Sequence, residues 1–380
     1  MSHDATAAAQ PSPSRISDAV LTISPGTTYY LPDTGGLLPH SYSPFAPQAV
    51  PAAKARVRGM LTACVGQPLA DKILDQDGIA EWACYVYPLG NRQRTEVLID
   101  AGLCALVCDD EFTLTGLSTD LPRIRERVSL YTRVLEGEPP PAQAPSAVWL
   151  AQSMDGIAEL ATPEFITRFK RICADINDLV PVEAEHRLTR VLPPWEEYVA
   201  FRRVNLYGFW AVAACEFSVG IDMTAYLDGY RVFRELELAA VEHIMFTNDL
   251  YSFPKEAQGG EVANTFWVLR RDGKSVQEAV TFLAAELIER QHRFQQLREE
   301  IASSALGDRD DVRSYLRAVS YCLGGNLQYH RTTGRYHGSG YTGPPVNAGT
   351  ITIGERGTVF VPDSTEEVGG DHGEDAISFG

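Results

Sequence analysis

From about Ala52 to Tyr336 the chain is a succession of helix-length apolar periodicities, broken by short turns at residues 88–91, 136–145 and 193–194. No alternation of strand and helix patterns runs through it, so an all-α fold is expected. One helix is especially legible. Ser275 and Glu278 form the S-x-x-E signature of a capping box, and behind it Val276, Ala279, Val280, Leu283, Leu287, Phe294 and Leu297 mark one apolar stripe. Residues 224–256 are also helical in character. Residues 97–108 are apolar on nearly every side apart from Asp100, which places that helix inside the bundle.

The ends of the chain differ from this body. Residues 1–22 are rich in Ala, Ser and Pro and are expected to be disordered, and a Pro-rich run at 38–51 precedes the first helical periodicity. After Tyr336 the composition shifts to Gly, Thr, Asp and Glu, with a β-prone run at 350–361 and an acidic end at 363–375. That tail is expected to be mostly disordered, with a strand or lid element.

At 380 residues, with 44% apolar and 22% charged positions, the chain can build a large core. Its formal charge of -17 argues against nucleic acid as a partner, so any phosphate it binds must be held by local chemistry. No signal-peptide core and no stretch of about 20 apolar residues is present, so a soluble, cytoplasmic protein without stable membrane insertion is expected. The seven cysteines form no CxxC pair and read as reduced, mostly buried thiols; nothing completes a zinc site around Cys104 and Cys108.

Two constellations carry chemistry. Asp109, Asp110 and Glu111 follow directly on the buried apolar helix, and clustered carboxylates at such a place suit Mg²⁺, although taken alone they fit a solvated helix end equally well. In NDLYSFPKE, Asn248, Ser252 and Glu256 recur every four residues. On a helix they share one face, each about 6 Å of rise from the next, so that an amide, a hydroxyl and a carboxylate can converge on one cation.

NDLYSFPKE resembles the second metal motif of bacterial class I terpene synthases (terpene cyclases), and DDEF at 109–112 resembles their first, aspartate-rich motif. The likeness covers roughly residues 40 to 337 and includes ACYVYP ahead of the first motif and NTFWVLRRDGKSVQEAV after the second. It implies that Asp109, with Asp110 or Glu111 in support, binds Mg²⁺ on one helix while Asn248, Ser252 and Glu256 bind it on another. Arg202 in YVAFRR stands where such enzymes keep a diphosphate-sensing arginine, with Arg203 beside it leaving the choice open. Arg335 and Tyr336 resemble their C-terminal Arg-Tyr pair; Tyr336 fits a core tyrosine equally well. Lys255 stands where the family's Lys reaches diphosphate. By the same likeness Asn205 and Leu206 sit at a helix break that passes diphosphate binding on to the reacting carbons.

The resemblance implies a helical bundle around a deep apolar pocket, divided as an N-terminal segment 1–40, a catalytic domain 41–337 and a tail 338–380. It further implies Mg²⁺ as cofactor, farnesyl or geranylgeranyl diphosphate as substrate, and a sesquiterpene or diterpene product. Homodimers are common in such folds, and the sequence leaves oligomeric state open. Aromatic faces can stabilise a carbocation, and Tyr85, Phe112, Tyr207, Phe209, Trp210 and Phe246 are candidates by proximity to the motifs. Two departures stand out: Phe112 and Thr113 occupy positions where a further carboxylate is usual, and Pro254 is expected to kink the second metal helix near Leu250. The rival readings are a chain-elongating prenyl diphosphate synthase, which would carry two aspartate-rich motifs, and a non-catalytic helical interaction protein.

Overall fold

The helical periodicities become sixteen α-helices among residues 12–36, 38–113, 117–355 and 357–363, which a computed structural model of the chain describes. The first half runs α1 (Asp18–Leu21), α2 (Ala46–Val65), α3 (Gln67–Asp75), α4 (Ile79–Val86), α5 (Arg92–Thr113), α6 (Leu121–Leu135), α7 (Pro145–Ala158) and α8 (Pro163–Thr189). The second runs α9 (Trp195–Asn205), α10 (Gly208–Val219), α11 (Thr224–Gly229), α12 (Arg231–Gly259), α13 (Thr265–Arg271), α14 (Val276–Ala302), α15 (Asp310–Thr332) and α16 (Gly334–His337). Five short strands accompany them: β1 (Ser14–Arg15), β2 (Thr28–Leu31), β3 (Val191–Leu192), β4 (Gly349–Gly354) and β5 (Gly357–Pro362).

The capping box opens α14 as its sequence directs: Ser275 Oγ accepts from the Glu278 amide at 3.2 Å, and Glu278 Oε2 accepts from the Ser275 amide at 2.7 Å. Behind it Leu283, Leu287, Phe294 and Leu297 are buried against α12, each contributing roughly 1.5–3 kcal/mol. Helix α5, apolar on nearly every side, is enclosed by α2, α4, α7 and α10. Its one mid-helix charge, Asp100, is met by Arg56 at 2.8 Å. Gly325 lets α4 approach α15, since a Cβ there would lie 1.9 Å from the Tyr85 carbonyl oxygen. The helix expected over 224–256 is divided in two by extended backbone at Tyr230, and its second part continues through Pro254 to Gly259 as an unbroken α-helix.

The two ends of the described chain are more ordered than their composition suggests. Residues Ser14 and Arg15 pair with Val191 and Leu192, while β2, β4 and β5 form an antiparallel sheet in that spatial order, with Tyr29 opposite Ile351 and Ile351 opposite Phe360. The period-2 alternation explains this. Tyr29, Leu31, Ile351 and Ile353 turn one apolar face to the helices, an area that neither segment buries alone. The sheet is tied down at several points: Gln258 Nε2 donates to Gly354 O at 2.9 Å, and His337 Nδ1 lies 3.3 Å from Thr358 Oγ1. Arg331, at the end of α15, donates to Thr34 Oγ1 (2.7 Å), Gly35 O (2.5 Å) and Asn347 Oδ1 (3.0 Å), linking both segments. The β-prone run at 350–361 is thus the strand element expected within the tail, folded as a hairpin. Residues 1–11 and 364–380, expected to be disordered, lie outside the described residues. Among the described residues no helix is long and apolar enough to cross a membrane, and the seven cysteines are free thiols.

Candidate active site

A large cavity opens among α4, α5, α8, α9, α10, α12, α15 and α16 and encloses about 1230 Å³ including its open mouth, a size suited to a small-molecule ligand. One part of its lining is apolar: Trp82, Gly102, Ala105, Leu106, Leu206, Tyr207, Trp210, Ala211 and Ile244. The other is polar and collects Asp109, Asp110, Glu183, Arg202, Asn205, Asn248, Lys255, Glu256, Glu261, Arg335 and Tyr336. Nine of the eleven residues singled out in the sequence therefore line one cavity, although they come from four helices.

On α12 the four-residue spacing does what helical geometry requires. Asn248 Nδ2 donates to Tyr336 Oη at 3.1 Å and lies 3.3 Å from His330 Nε2, while its Oδ1 accepts from Arg202 Nη2 at 3.1 Å and from Ser252 Oγ at 3.5 Å. His330 Nδ1 is 2.7 Å from the Asn326 carbonyl, which requires its proton on Nδ1 and leaves Nε2 to accept from the amide. Burial pushes this imidazole down to about 3, so it stays neutral. The Asn248 amide is held in one orientation. Asn264, the N-cap of α13, then braces the rest of the face, its Nδ2 donating to Ser252 Oγ (3.2 Å) and Glu256 Oε2 (2.8 Å). Ser252 is fully buried behind the cavity lining, and Pro254 leaves Glu256 on the lining.

The paired arginines differ in where they lie and what they touch. Arg203 turns to Glu242, whereas Arg202 is buried in the cavity wall and donates to Asp249 Oδ1 through Nε (3.1 Å) and Nη2 (2.8 Å), and to Asn205 Oδ1 through Nη1 (3.0 Å). Burial works against the guanidinium charge, but Asp249 and Glu256 outweigh it and hold Arg202 protonated. Asp249 is itself fixed by the Thr265 amide (2.8 Å) and hydroxyl (2.6 Å), and Asn205 Nδ2 donates to Glu183 Oε2 at 2.6 Å. Arg335 on α16 pairs with Asp77 at 3.3 Å, and Asp77 also takes Lys72 at 2.7 Å. Of the residues that sequence reasoning missed, Asp249, Asp77, Glu183 and His330 carry no signal of their own in the sequence. Only Asn264 had a local mark, as a polar residue just before the apolar TFWVL run.

On α5, Asp109 and Asp110 line the cavity, and neither accepts a hydrogen bond from any described residue. Burial, then Glu183 and Asp110, push the Asp109 carboxyl well above the usual range; burial raises Asp110 too, against the pull of Arg335 and Lys255. Glu256 is pushed up to about 7 by burial and by Glu261. A concentration of carboxyls whose ionisation burial disfavours is the environment a hard divalent cation relieves, and the donors are of the type Mg²⁺ takes. Among the described residues no three His, Cys, Asp or Glu side chains converge on a ready-made metal shell; the donors stand on separate walls. Glu111 is a correction. One position further round the helix, it faces α6 and α7, accepting from Arg127 Nη1 at 2.5 Å, from Ser146 Oγ at 2.8 Å and from the Tyr131 hydroxyl, and it does not line the cavity.

Of the aromatic candidates, Tyr207 and Trp210 line the cavity; Tyr85, Phe112, Phe209 and Phe246 do not. Trp82, Tyr329 and Tyr336 join them, with Trp82 held by Nε1 donating to Asn326 Oδ1 at 3.1 Å. The helix break is present: α9 ends at Asn205, Leu206 and Tyr207 bridge the gap, and α10 begins at Gly208, where a Cβ would come within 2.8 Å of Val241. Tyr207 has φ 63°, a left-handed conformation uncommon for a bulky residue.

The chain is similar to known proteins in sequence and in fold. The family model for terpene synthase family 2, C-terminal metal binding, matches residues 100–293, which include α5's aspartates and all of α12. A (3S,6E)-nerolidol synthase of Selaginella moellendorffii is 25% identical over 295 residues, 75% of this chain and 78% of that one. A farnesyl diphosphate-cyclising 7-epi-alpha-eudesmol synthase of Streptomyces viridochromogenes is 27% identical over 276 residues, 67% and 77% of the two chains. With microbial terpene synthase-like protein 1 of Selaginella moellendorffii, 26% identical, the match spans 49% of this chain and about half (54%) of the relative. The fold is that of germacradien-4-ol synthase from Streptomyces citricolor, with a TM-score of 0.68 at 19% identity over 78% of this chain and 97% of the other. An all-helical chain with this cavity, matched over half its length by that family model, belongs to the terpene synthase family and is an enzyme of its lyase type.

Proposed function

We propose that the enzyme ionises a linear prenyl diphosphate in a Mg²⁺-dependent reaction and cyclises the cation to a terpene hydrocarbon or alcohol, releasing diphosphate. Farnesyl diphosphate is the first substrate to consider and geranylgeranyl diphosphate the longer alternative. The observation that carries this reading is the division of one cavity into an apolar part lined by Trp82, Tyr207 and Trp210 and a polar part holding carboxylates and arginines together. The names of the nerolidol and eudesmol synthases, which describe sesquiterpene products, favour the farnesyl chain.

Asp109, supported by Asp110, and Asn248, Ser252 and Glu256 would hold Mg²⁺, which when bound neutralises the charge of the departing diphosphate. Arg202, Arg335 and Lys255 bind its oxygens; Lys255 forms no ion pair with any described residue and is free to turn to it. Because Arg202 also grips Asn205, any movement toward diphosphate pulls on the break at Leu206 and Tyr207. The aromatic faces stabilise the allylic cation by about 2 kcal/mol or more each where water is excluded. Chain elongation is disfavoured, since α12 presents Asn, Ser and Glu in place of a second aspartate cluster. A soluble, cytoplasmic enzyme, as a monomer or homodimer, fits this chemistry.

The test is incubation of purified protein with farnesyl and geranylgeranyl diphosphates in parallel, with and without Mg²⁺, followed by gas chromatography with mass detection. A Mg²⁺-dependent terpene from either substrate supports the reading. Longer diphosphates formed on adding isopentenyl diphosphate would replace it by chain elongation, and folded protein that turns over neither substrate would sink it.

A further inference from the structure

A second, smaller cavity lies directly behind the first. Helices α5 (Ala101, Cys104, Cys108), α6 (Leu135), α7 (Met154) and α8 (Cys173) give it small or pliable walls. Three residues, Ala105, Tyr207 and Trp210, line both cavities. Ala105 contributes a methyl group, so the bulk between the two spaces is a phenol and an indole. Trp210 is held in place by Phe169, 5.7 Å away between ring centroids, and by Trp82 at 6.5 Å. Tyr207 lies within electrostatic reach of Asp109 in the main cavity and of the Cys104, Cys108 and Cys173 thiols in the second.

The backbone points the same way. At φ 63° Tyr207 occupies a conformation in which glycine sits without steric cost and a bulky side chain is strained. Strain of this kind persists where the side chain is needed, and what this side chain does is close off the space behind it. The second cavity is imperfectly packed: Asn177 Nδ2, on its wall, is buried without a hydrogen-bond partner.

We infer that Tyr207 and Trp210 form a partition that stops the prenyl chain at farnesyl length, and that the thiol-lined cavity behind it is the space a fourth isoprene unit would enter. The inference rests on the prenyl diphosphate reading above and specifies it. It makes Tyr207 and Trp210 specificity-determining residues in addition to cation-facing ones. It also gives the side cavity a chemical meaning: its walls are mostly apolar and adaptable, as hydrocarbon requires, with Ser153 and Asn177 as polar exceptions.

The experiment compares wild type, Trp210→Ala, Tyr207→Gly, and each of these combined with Ala101→Leu, which fills the second cavity from its far wall. Binding of the unreactive S-thiolodiphosphates of farnesol and geranylgeraniol at fixed Mg²⁺ is measured beside kcat/KM for the two diphosphates. The geranylgeranyl-to-farnesyl ratio is expected to rise about tenfold or more in Trp210→Ala and Tyr207→Gly and to fall back when Ala101→Leu is added. Ala101→Leu alone should leave the ratio unchanged. If removing the indole unfolds the protein, Trp210→Phe should move the ratio in the same direction by less. Ratios within about twofold of wild type in folded variants, a gain that survives Ala101→Leu, or a wild type that already prefers the longer chain would each overturn the partition. Wild type that binds the analogues but turns over neither diphosphate would defeat the proposed function instead, and the binding ratios would still judge the partition.

Discussion

On α12, Asn248, Asp249, Ser252 and Glu256 each have a protein partner, from Arg202, Thr265, Asn264 or Tyr336; on α5, Asp109 and Asp110 accept nothing from the described residues. Both helices present oxygen to the same cavity. The first wall is already satisfied by its neighbours, whereas the second holds two carboxyls that accept no hydrogen bond from the described residues and whose ionisation burial disfavours. Under the proposed function, one wall would supply position and the other the driving force for binding a cation. A site built this way is least stable when empty.

The largest expected effect comes from removing that driving force. Asp109→Asn should lower kcat/KM on the order of 10²–10³-fold while raising the Tm of the ligand-free protein, because it deletes an uncompensated carboxylate; a fall in both would place Asp109 among the structural residues. Next is the support of the satisfied wall. Asp249→Asn leaves Arg202 buried with half its partner and should destabilise the protein by about 3 kcal/mol in urea unfolding, a cost absent if Arg202 finds another anion.

The contrast should also appear in pH. Glu256 is raised to about 7 in the folded protein, as are the buried Glu216 and Glu237, whereas unfolded glutamates titrate near ~4.3. The folded state thus holds more protons than the unfolded one between these values, and stability falls as pH rises through about 4.5–7. Mg²⁺ with diphosphate should flatten the share belonging to Glu256 and leave the share of Glu216 and Glu237, which lies outside the cavity. Thermal melts across that range, with and without both ligands, measure the difference; identical slopes would show that Glu256 does not meet the ligand. A smaller change is expected from Asn264→Ala, which frees Glu256 and Ser252 and should cost about 1–3 kcal/mol of transition-state binding. The smallest is expected from Glu111→Gln, which should loosen the contacts with Arg127 and Tyr131 but leave turnover within about twofold of wild type, since this carboxylate faces away from the cavity. Loss of turnover comparable to that of Asp109→Asn would return Glu111 to the metal wall.

What the sequence could announce follows from the distances over which each feature is encoded. Asn248, Ser252 and Glu256 are legible because helical periodicity is local, and the capping box at Ser275 is legible for the same reason. Arg335 and Asp77 lie 258 residues apart, and Arg202 and Asp249 lie 47 apart, so no local pattern marks Asp77 or Asp249 as partners. Glu111 misleads for the opposite reason. Adjacent acidic residues look alike in sequence, but each step along a helix rotates the side chain about a third of a turn, enough to move one of three from cavity to core-facing contact. Composition likewise suggests a loose tail at 338–380, because a strand's stability resides in its partner, here β2 at Thr28–Leu31.

The sheet that joins β2 to β4 and β5 has a consequence for how the enzyme comes into being. Thr34 and Asn347, 313 residues apart, meet through one hydrogen-bond network with Arg331, next to the residue that fixes Asn248. During synthesis the strand near the beginning emerges early and stays an unpaired edge until its partner has left the ribosome. Contacts of such sequence separation form late. The nascent bundle can therefore enclose its hydrophobic interior while the arginine-bearing turn of α16 is still unsecured. The clasp that Arg331 makes between the two ends is thus a late step in completing the wall beside Asn248.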